Sequence, residues 1–142
     1  MDAWDLFFNF RGRINRAKWW LFMVVAVTVQ VIAVMAMSEM RQGPIGLITF
    51  LYFLIFAASV PVHVKRLHDR NRSGWWLLAY YGFLAVAVVA RDLGPDPVVA
   101  QAAFLAILVW IVIDLGCLRG TRGPNRYGAD PLQKDEALAA SH

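Results

Sequence analysis

Three stretches of this chain carry residues able to do chemistry, and each of them holds two or three arginines. The first is Phe10-Arg11-Gly12-Arg13-Ile14-Asn15-Arg16-Ala17-Lys18-Trp19-Trp20. The second is Lys65-Arg66-Leu67-His68-Asp69-Arg70-Asn71-Arg72-Ser73-Gly74-Trp75-Trp76. The third is Gly120-Thr121-Arg122-Gly123-Pro124-Asn125-Arg126-Tyr127-Gly128-Ala129-Asp130-Pro131. A guanidinium is planar, weakly hydrated and matched to two oxygens at once, so it suits phosphate and carboxylate better than an ammonium does. Arg13, Arg16, Arg66 and Arg72 are therefore candidates for an anion site, with an anionic lipid headgroup as the expected ligand. The alternative is that they only set topology and neutralise a lipid surface. Topology alone does not ask for arginine over lysine, and the chain holds 11 arginines against 3 lysines.

The acidic residues among them read differently. Asp69 lies between Lys65, Arg66, Arg70 and Arg72, and is expected either to hold an arginine of another segment or to take part in function. Charge-assisted pairs of that kind are strong at a low-dielectric boundary. Asp130 is a second candidate of the same type. His68-Asp69 resembles a general-base pair, but adjacent helical residues do not face each other. No nucleophile elbow, zinc-binding His-Glu-x-x-His or phosphate-binding loop is present. No catalytic residue, metal site or cofactor is expected; His63, His68 and Asp69 lack further ligands, and the single Cys117 rules out an intramolecular disulfide and a multi-cysteine metal site. Asp114 is the one carboxylate inside an apolar stretch, which makes it a functional candidate by default. Its nearness to Arg119 offers simple pairing as the alternative.

The elements that must position these residues follow from composition. Of 142 residues, 59% are hydrophobic and 17% charged, too apolar for an ordinary soluble domain and far too apolar for disorder. Four stretches approach the about 20 apolar residues that cross a bilayer: 19–38, 45–62, 73–90 and 97–118. They fill one membrane domain over 1–133 and predict an all-α four-helix bundle. Met1 to Phe10 carries Trp4, Phe7 and Phe8 at helical spacing, which fits either a short interfacial helix or a frayed end; 134–142 reads as a mobile tail. The first span is too long for a signal-peptide core and no cleavage site follows it. The N-terminal segment, the loop between spans two and three and the tail each hold four basic residues. The other two loops hold Arg41 and Arg91 alone. The positive-inside rule then puts both termini in the cytoplasm. The six tryptophans fall toward that same side, as interfacial anchors do.

Taken in order, Gly12-Arg13 through Trp20, Arg66-Leu67-His68-Asp69 through Trp76, and Asn125-Arg126-Tyr127-Gly128 before Asp130-Pro131 resemble the signature of the domain-of-unknown-function 805 family. These are small bacterial inner-membrane proteins, and the likeness covers nearly the whole chain. Arg122 and Ala129 depart from the pattern by standing where the family often has proline, so a less rigid tail is expected. The resemblance implies a bacterial inner-membrane location, makes His68, Asn125 and Tyr127 motif residues beside Asp69 and Asp130, and implies no activity.

The sequence thus leads to a non-enzymatic binding or scaffold protein. Its arginine- and tryptophan-rich rim would engage anionic membrane lipid, a membrane-protein partner or a second copy of the chain, and no nucleic acid. The alternative is a small transporter or channel component working through Asp114. The two differ in what Asp114→Asn does: it abolishes a transport activity and hardly affects lipid binding.

Overall fold

The computed structural model describes residues 9–38, 45–94 and 96–133. The expected interfacial helix falls mainly on 1–8 and the expected mobile tail on 134–142, both outside the described residues. The described chain is helical throughout its spans: α1 is Arg16–Ser38, α2 Ile45–Asp69, α3 Trp76–Leu93 and α4 Pro97–Val112. One wider π-helical turn, Ile113–Cys117, continues α4. With that turn counted into α4, all four are long and apolar enough to cross a membrane.

Local chemistry sets their ends. Asn15 caps α1, its Oδ1 accepting the Lys18 N–H at 2.9 Å, as N-cap asparagines do. At the start of α4, Asp96 accepts from Val98 and Val99, and Pro97 sits where a missing N–H costs nothing. The end of α2 is a Schellman turn: the Asn71 N–H reaches the His68 carbonyl at 2.9 Å and the Arg72 N–H reaches that of Leu67 at 2.9 Å. Asn71 takes the left-handed conformation this needs, with φ 58°. Ser73 to Trp75 then form a tight lead-in turn to α3.

The second helix runs seven residues past the apolar stretch that ends at Val62. Counting charge-free residues stops it at the first cation. Lys65, Arg66 and Asp69 nevertheless lie on the helix and are buried, because the protein itself supplies their partners.

The helices pack as two antiparallel pairs, α1 with α2 and, along most of their length, α3 with α4. The pairs meet where α2 passes into α3 and where the π turn wedges against α1 and α2. Helices α1 and α4 do not approach each other directly. The buried apolar cluster of Ile14, Trp19, Val62, Val64, Leu67, Leu77, Tyr80 and Leu115 sits at that junction. Elsewhere large apolar side chains such as Val24, Ile32, Phe53, Phe83, Val86 and Val109 face outward, while Arg13, Arg66, Asp69 and Asp114 are buried. That inversion suits a chain whose solvent along the spans is hydrocarbon, where helix association does not depend on hiding apolar surface.

Trp19 departs from the interfacial-anchor expectation. It is 1% exposed and packs edge-on against both Trp20, at 5.0 Å between centroids, and His63, at 5.9 Å. It fills the junction between the pairs instead of marking a lipid surface.

Candidate functional site

The three polar stretches converge at one end of the bundle. They build two ion clusters, each centred on a carboxylate.

The first centre is Asp69, in the last turn of α2. Arg66 lies three residues earlier, hence on the same helix face, and donates Nη1–H to Asp69 Oδ2. Arg13 comes from the segment before α1 and donates to Oδ1 from Nε at 3.0 Å, with Nη2 equally close. Neither arginine has a nitrogen to spare. Arg66 sends Nε–H to the Leu115 carbonyl and Nη2–H to that of Leu118, both at 2.5 Å. Arg13 sends Nη2–H to the Thr121 carbonyl at 2.6 Å and Nη1–H to Gly123 at 2.7 Å and Gly128 at 3.3 Å. Arg66 is 0% exposed, so these carbonyls are its substitute for water. The tail reciprocates: the Thr121 N–H and hydroxyl both donate to the Asp69 carbonyl, at 2.8 and 2.9 Å. Gly120 lets the tail pass there, since a Cβ at that position would overlap the Asp69 carboxylate.

The second centre is Asp114, on the π turn and 5% exposed. Tyr80 donates its hydroxyl to Oδ2 at 2.5 Å. Arg70 pairs with Oδ1 and also donates to the Asp114 backbone carbonyl at 3.0 Å. Arg72 reaches both carboxylate oxygens, at 3.2 and 3.3 Å, and lies over the Trp76 ring at 5.1 Å. Neighbouring residues of α2 thus diverge. Asp69 faces the tail, while the Schellman turn swings Arg70 and Arg72 toward Asp114. The π turn matters here because its i-to-i+5 geometry, closed by the Leu118 N–H on the Ile113 carbonyl at 3.0 Å, reorients the chain just where α4 ends. It also brings Gly116 against two indoles. Trp20 donates Nε1–H to its carbonyl at 3.0 Å, and a Cβ there would stand 2.8 Å from both Trp19 and Trp20.

The tail closes over this end. Asn125 and Gly128 exchange backbone hydrogen bonds at 3.0 Å, and the Asn125 side chain accepts from Tyr127 N–H at 2.9 Å. Its amide donates to the His68 carbonyl at 2.9 Å and to the Thr121 hydroxyl at 2.8 Å. Tyr127 stacks on His68, 3.8 Å between centroids and 4° from parallel. His68 Nδ1 stands 3.3 Å from the Gly12 carbonyl and therefore carries the proton. Arg126 lies over the Tyr127 ring, its Cζ 4.7 Å from the centroid, and donates to the Asn71 carbonyl. Asp130 accepts from the Gly123 and Leu132 N–H groups at 2.9 and 3.1 Å. Burial alone would raise its carboxyl, but these two N–H groups, with Arg13 and Arg119, hold it below the usual carboxylate range.

The structure therefore gathers Arg13, Arg66, His68, Asp69, Asn125, Tyr127 and Asp130 into one network and sets Arg72 with Asp114 in the other. Arg119, the sequence neighbour weighed as a partner for Asp114, is exposed, and the carboxylate is taken by Arg70, Arg72 and Tyr80. Arg16 is exposed as well. Arg16 and Arg119 border a pocket of about 260 Å³ that Asn15, Thr121, Asp130 and Pro131 also line, with Arg66 and Asp69 within it. Neither Arg16 nor Arg119 makes a hydrogen bond or ion pair with a described residue. Sequence reasoning passed over Tyr80, Thr121, Gly116 and Gly120. The Tyr80-Tyr81 pair of hydroxyls inside an otherwise apolar span was a signal for Tyr80 without singling it out; the glycines gave none, because their role lies in what stands opposite.

A family model described as "Protein of unknown function (DUF805)" matches residues 7–129. Among curated proteins, the chain is 29% identical over 128 residues to inner membrane protein YhaH of Escherichia coli K12, covering 87% of each chain. It is 33% identical to the uncharacterized protein YiiR of the same organism, covering 87% of this chain and 86% of that one. Against inner membrane protein YhaI it is 29% identical over 125 residues, with the same coverage. No solved structure matches the chain.

Proposed function

The chain belongs to the DUF805 family, and we propose that it acts in a bacterial inner membrane as a non-enzymatic binding module that holds an anionic lipid headgroup between Arg16 and Arg119. Both termini are cytoplasmic in this reading, which rests on the twelve basic residues of the polar end against two at the other.

One observation carries the proposal. Arg13, Arg66, Arg70 and Arg72 are spent on the protein's own carbonyls and carboxylates, whereas Arg16 and Arg119 flank a pocket with their guanidinium groups uncommitted among the described residues. The pocket's three arginines outnumber its two aspartates, and Asp69 is already neutralised by Arg13 and Arg66. Basic pockets at the cytoplasmic ends of packed helices take phospholipid headgroups, and bidentate guanidinium–phosphate contact supplies the selectivity. The Asp114 carboxylate, engaged by three side chains, gives the transporter reading no vacant ligand.

The test is native mass spectrometry from nanodiscs of mixed phosphatidylglycerol and phosphatidylcholine. Wild-type protein is expected to retain phosphatidylglycerol selectively. The Arg16→Gln/Arg119→Gln variant, which keeps every hydrogen bond and ion pair of the internal clusters, is expected to lose that preference. A variant that keeps it overturns the proposal.

A further inference from the structure

A second cavity lies deeper, between the two helix pairs. It measures about 450 Å³ and all four helices line it, mostly with apolar side chains such as Phe22, Met23, Ile55 and Leu108. It lies within the membrane-capable lengths of the helices. Because α1 and α4 meet only through the π turn, its wall is open sideways, toward where the lipid chains would be.

The inner end of this cavity is not apolar. His63 and Trp19 both line it, packed edge to face at 5.9 Å. His63 is 8% exposed, and its Nδ1 stands 2.6 Å from the Ser59 carbonyl. A carbonyl only accepts, so Nδ1 holds the proton, and in the neutral ring Nε2 is left as an acceptor. Trp19 Nε1–H is the reverse case: a buried donor with no partner, and the only such side-chain atom among the described residues. A buried donor left unpaired is costly, and in native proteins it calls for an explanation such as an unseen ligand.

We propose that this cavity binds a neutral lipid alcohol, an apolar chain ending in one free hydroxyl. A hydroxyl is both donor and acceptor. Its O–H donates to His63 Nε2, and its oxygen receives the Trp19 N–H once the indole, whose Nε1 is covered in this structure, turns toward it. The depth suits such a molecule. His63 lies six residues before Asp69, about 9 Å along α2 from the ion cluster, so the hydroxyl sits just below the polar end. From Trp19 the chain follows α1 to Gln30, about 16 Å, along the cavity wall. A charged headgroup is excluded at that depth by the absence of a charged side chain from the lining. The site is separate from the rim pocket at Arg16 and Arg119 and does not rest on it.

The probe is a photoactivatable diazirine fatty alcohol, compared with its methyl ether, which has the same chain and no O–H donor. Both are added to the full chain in phosphatidylcholine nanodiscs, and crosslinks are mapped by peptide mass spectrometry. The alcohol is expected to label inward positions, Met23 and Ile55, about fivefold more than the ether, the effect of one net hydrogen bond. Labelling of outward Val24 is expected to be equal for the two. His63→Phe abolishes the preference, and Ala26→Phe, which fills the cavity without touching the polar pair, abolishes inward labelling by both. Equal inward labelling by alcohol and ether in the wild type overturns the proposal without recourse to any variant. So does a preference that survives His63→Phe, which would mean that the hydroxyl is recognised by a group other than His63.

Discussion

Replacing Asp69 by asparagine tests the polar end most severely. The change keeps the shape and removes the charge. In the wild type one carboxylate receives Arg66 Nη1 and two nitrogens of Arg13, all buried. The variant leaves two buried guanidinium groups facing a neutral amide. Summing three charge-assisted bonds would overcount, because they share one acceptor and are not additive. The better guide is the cost of an uncompensated buried charge, about 3–5 kcal/mol, offset in part by the carbonyls of Leu115, Leu118, Thr121 and Gly123 that the arginines keep. Arg13 is the strap between Asp69 and the tail, so the loss is felt first as tail opening. At the lower bound of about 3 kcal/mol, the open population rises roughly 150-fold. Hydrogen exchange of the protein in nanodiscs reads this directly at Thr121, whose amide is bonded across to the Asp69 carbonyl and loses that partner when the tail opens. Exchange there should quicken by about two orders of magnitude, with the amides of α3 and the body of α4 nearly unchanged. Asp92→Asn, at an exposed site on α3, is the matched control. A tail that exchanges within threefold of wild type would refute the claim that Asp69 clasps it.

Gly120→Ala should open the same tail, because the new methyl overlaps the Asp69 carboxylate; hydrogen exchange at Thr121 is the readout, against an unaffected Gly82→Ala, where a Cβ meets nothing. Tyr80→Phe removes one donor from Asp114 and should cost about 1–3 kcal/mol, seen as a lowered unfolding midpoint in detergent. Its effect should shrink in an Asp114→Asn background, where the acceptor's charge is gone. Asp130 is held below the usual carboxylate range in the folded chain, so its contribution is complete above the unfolded value of about 4 and is lost only as pH falls through the lower folded value. Protease cleavage at Arg122 and Arg126 should therefore be flat from about pH 7 to 5 and rise below about 4. In Asp130→Asn that acid-dependent rise should be reduced.

Much of this was legible in the sequence for a simple reason. The bilayer imposes length and apolarity on each span, so charge-free stretches located the bodies of all four helices. The same rule misjudged α2, whose last turn carries Lys65, Arg66 and Asp69. A charge marks a helix's exit from lipid only when the protein does not pair it, and the pairing comes from residues more than fifty positions away. That Asp69 stands among arginines was visible; that Arg13 crosses to it while adjacent Arg70 turns to Asp114 depends on a left-handed Asn71 and a π turn. Trp19 fits an aromatic-belt pattern by position, and only the meeting of the helix pairs turns it inward. Arg16 and Arg119 looked like their neighbours in the sequence. What distinguishes them is that they border the rim pocket while Arg13, Arg66, Arg70 and Arg72 are used up by the protein's own carbonyls and carboxylates.

The central claim is a contact between a lipid phosphate and two particular guanidinium groups. Solid-state NMR with ¹⁵N-arginine protein in phosphatidylglycerol bilayers measures that contact as dephasing of guanidinium nitrogen by ³¹P. The account predicts a dephased arginine signal in the wild type that disappears in Arg16→Gln/Arg119→Gln while the Arg13 and Arg66 signals stay in place. Absence of dephasing in the wild type, or the same dephasing in the double variant, would contradict it.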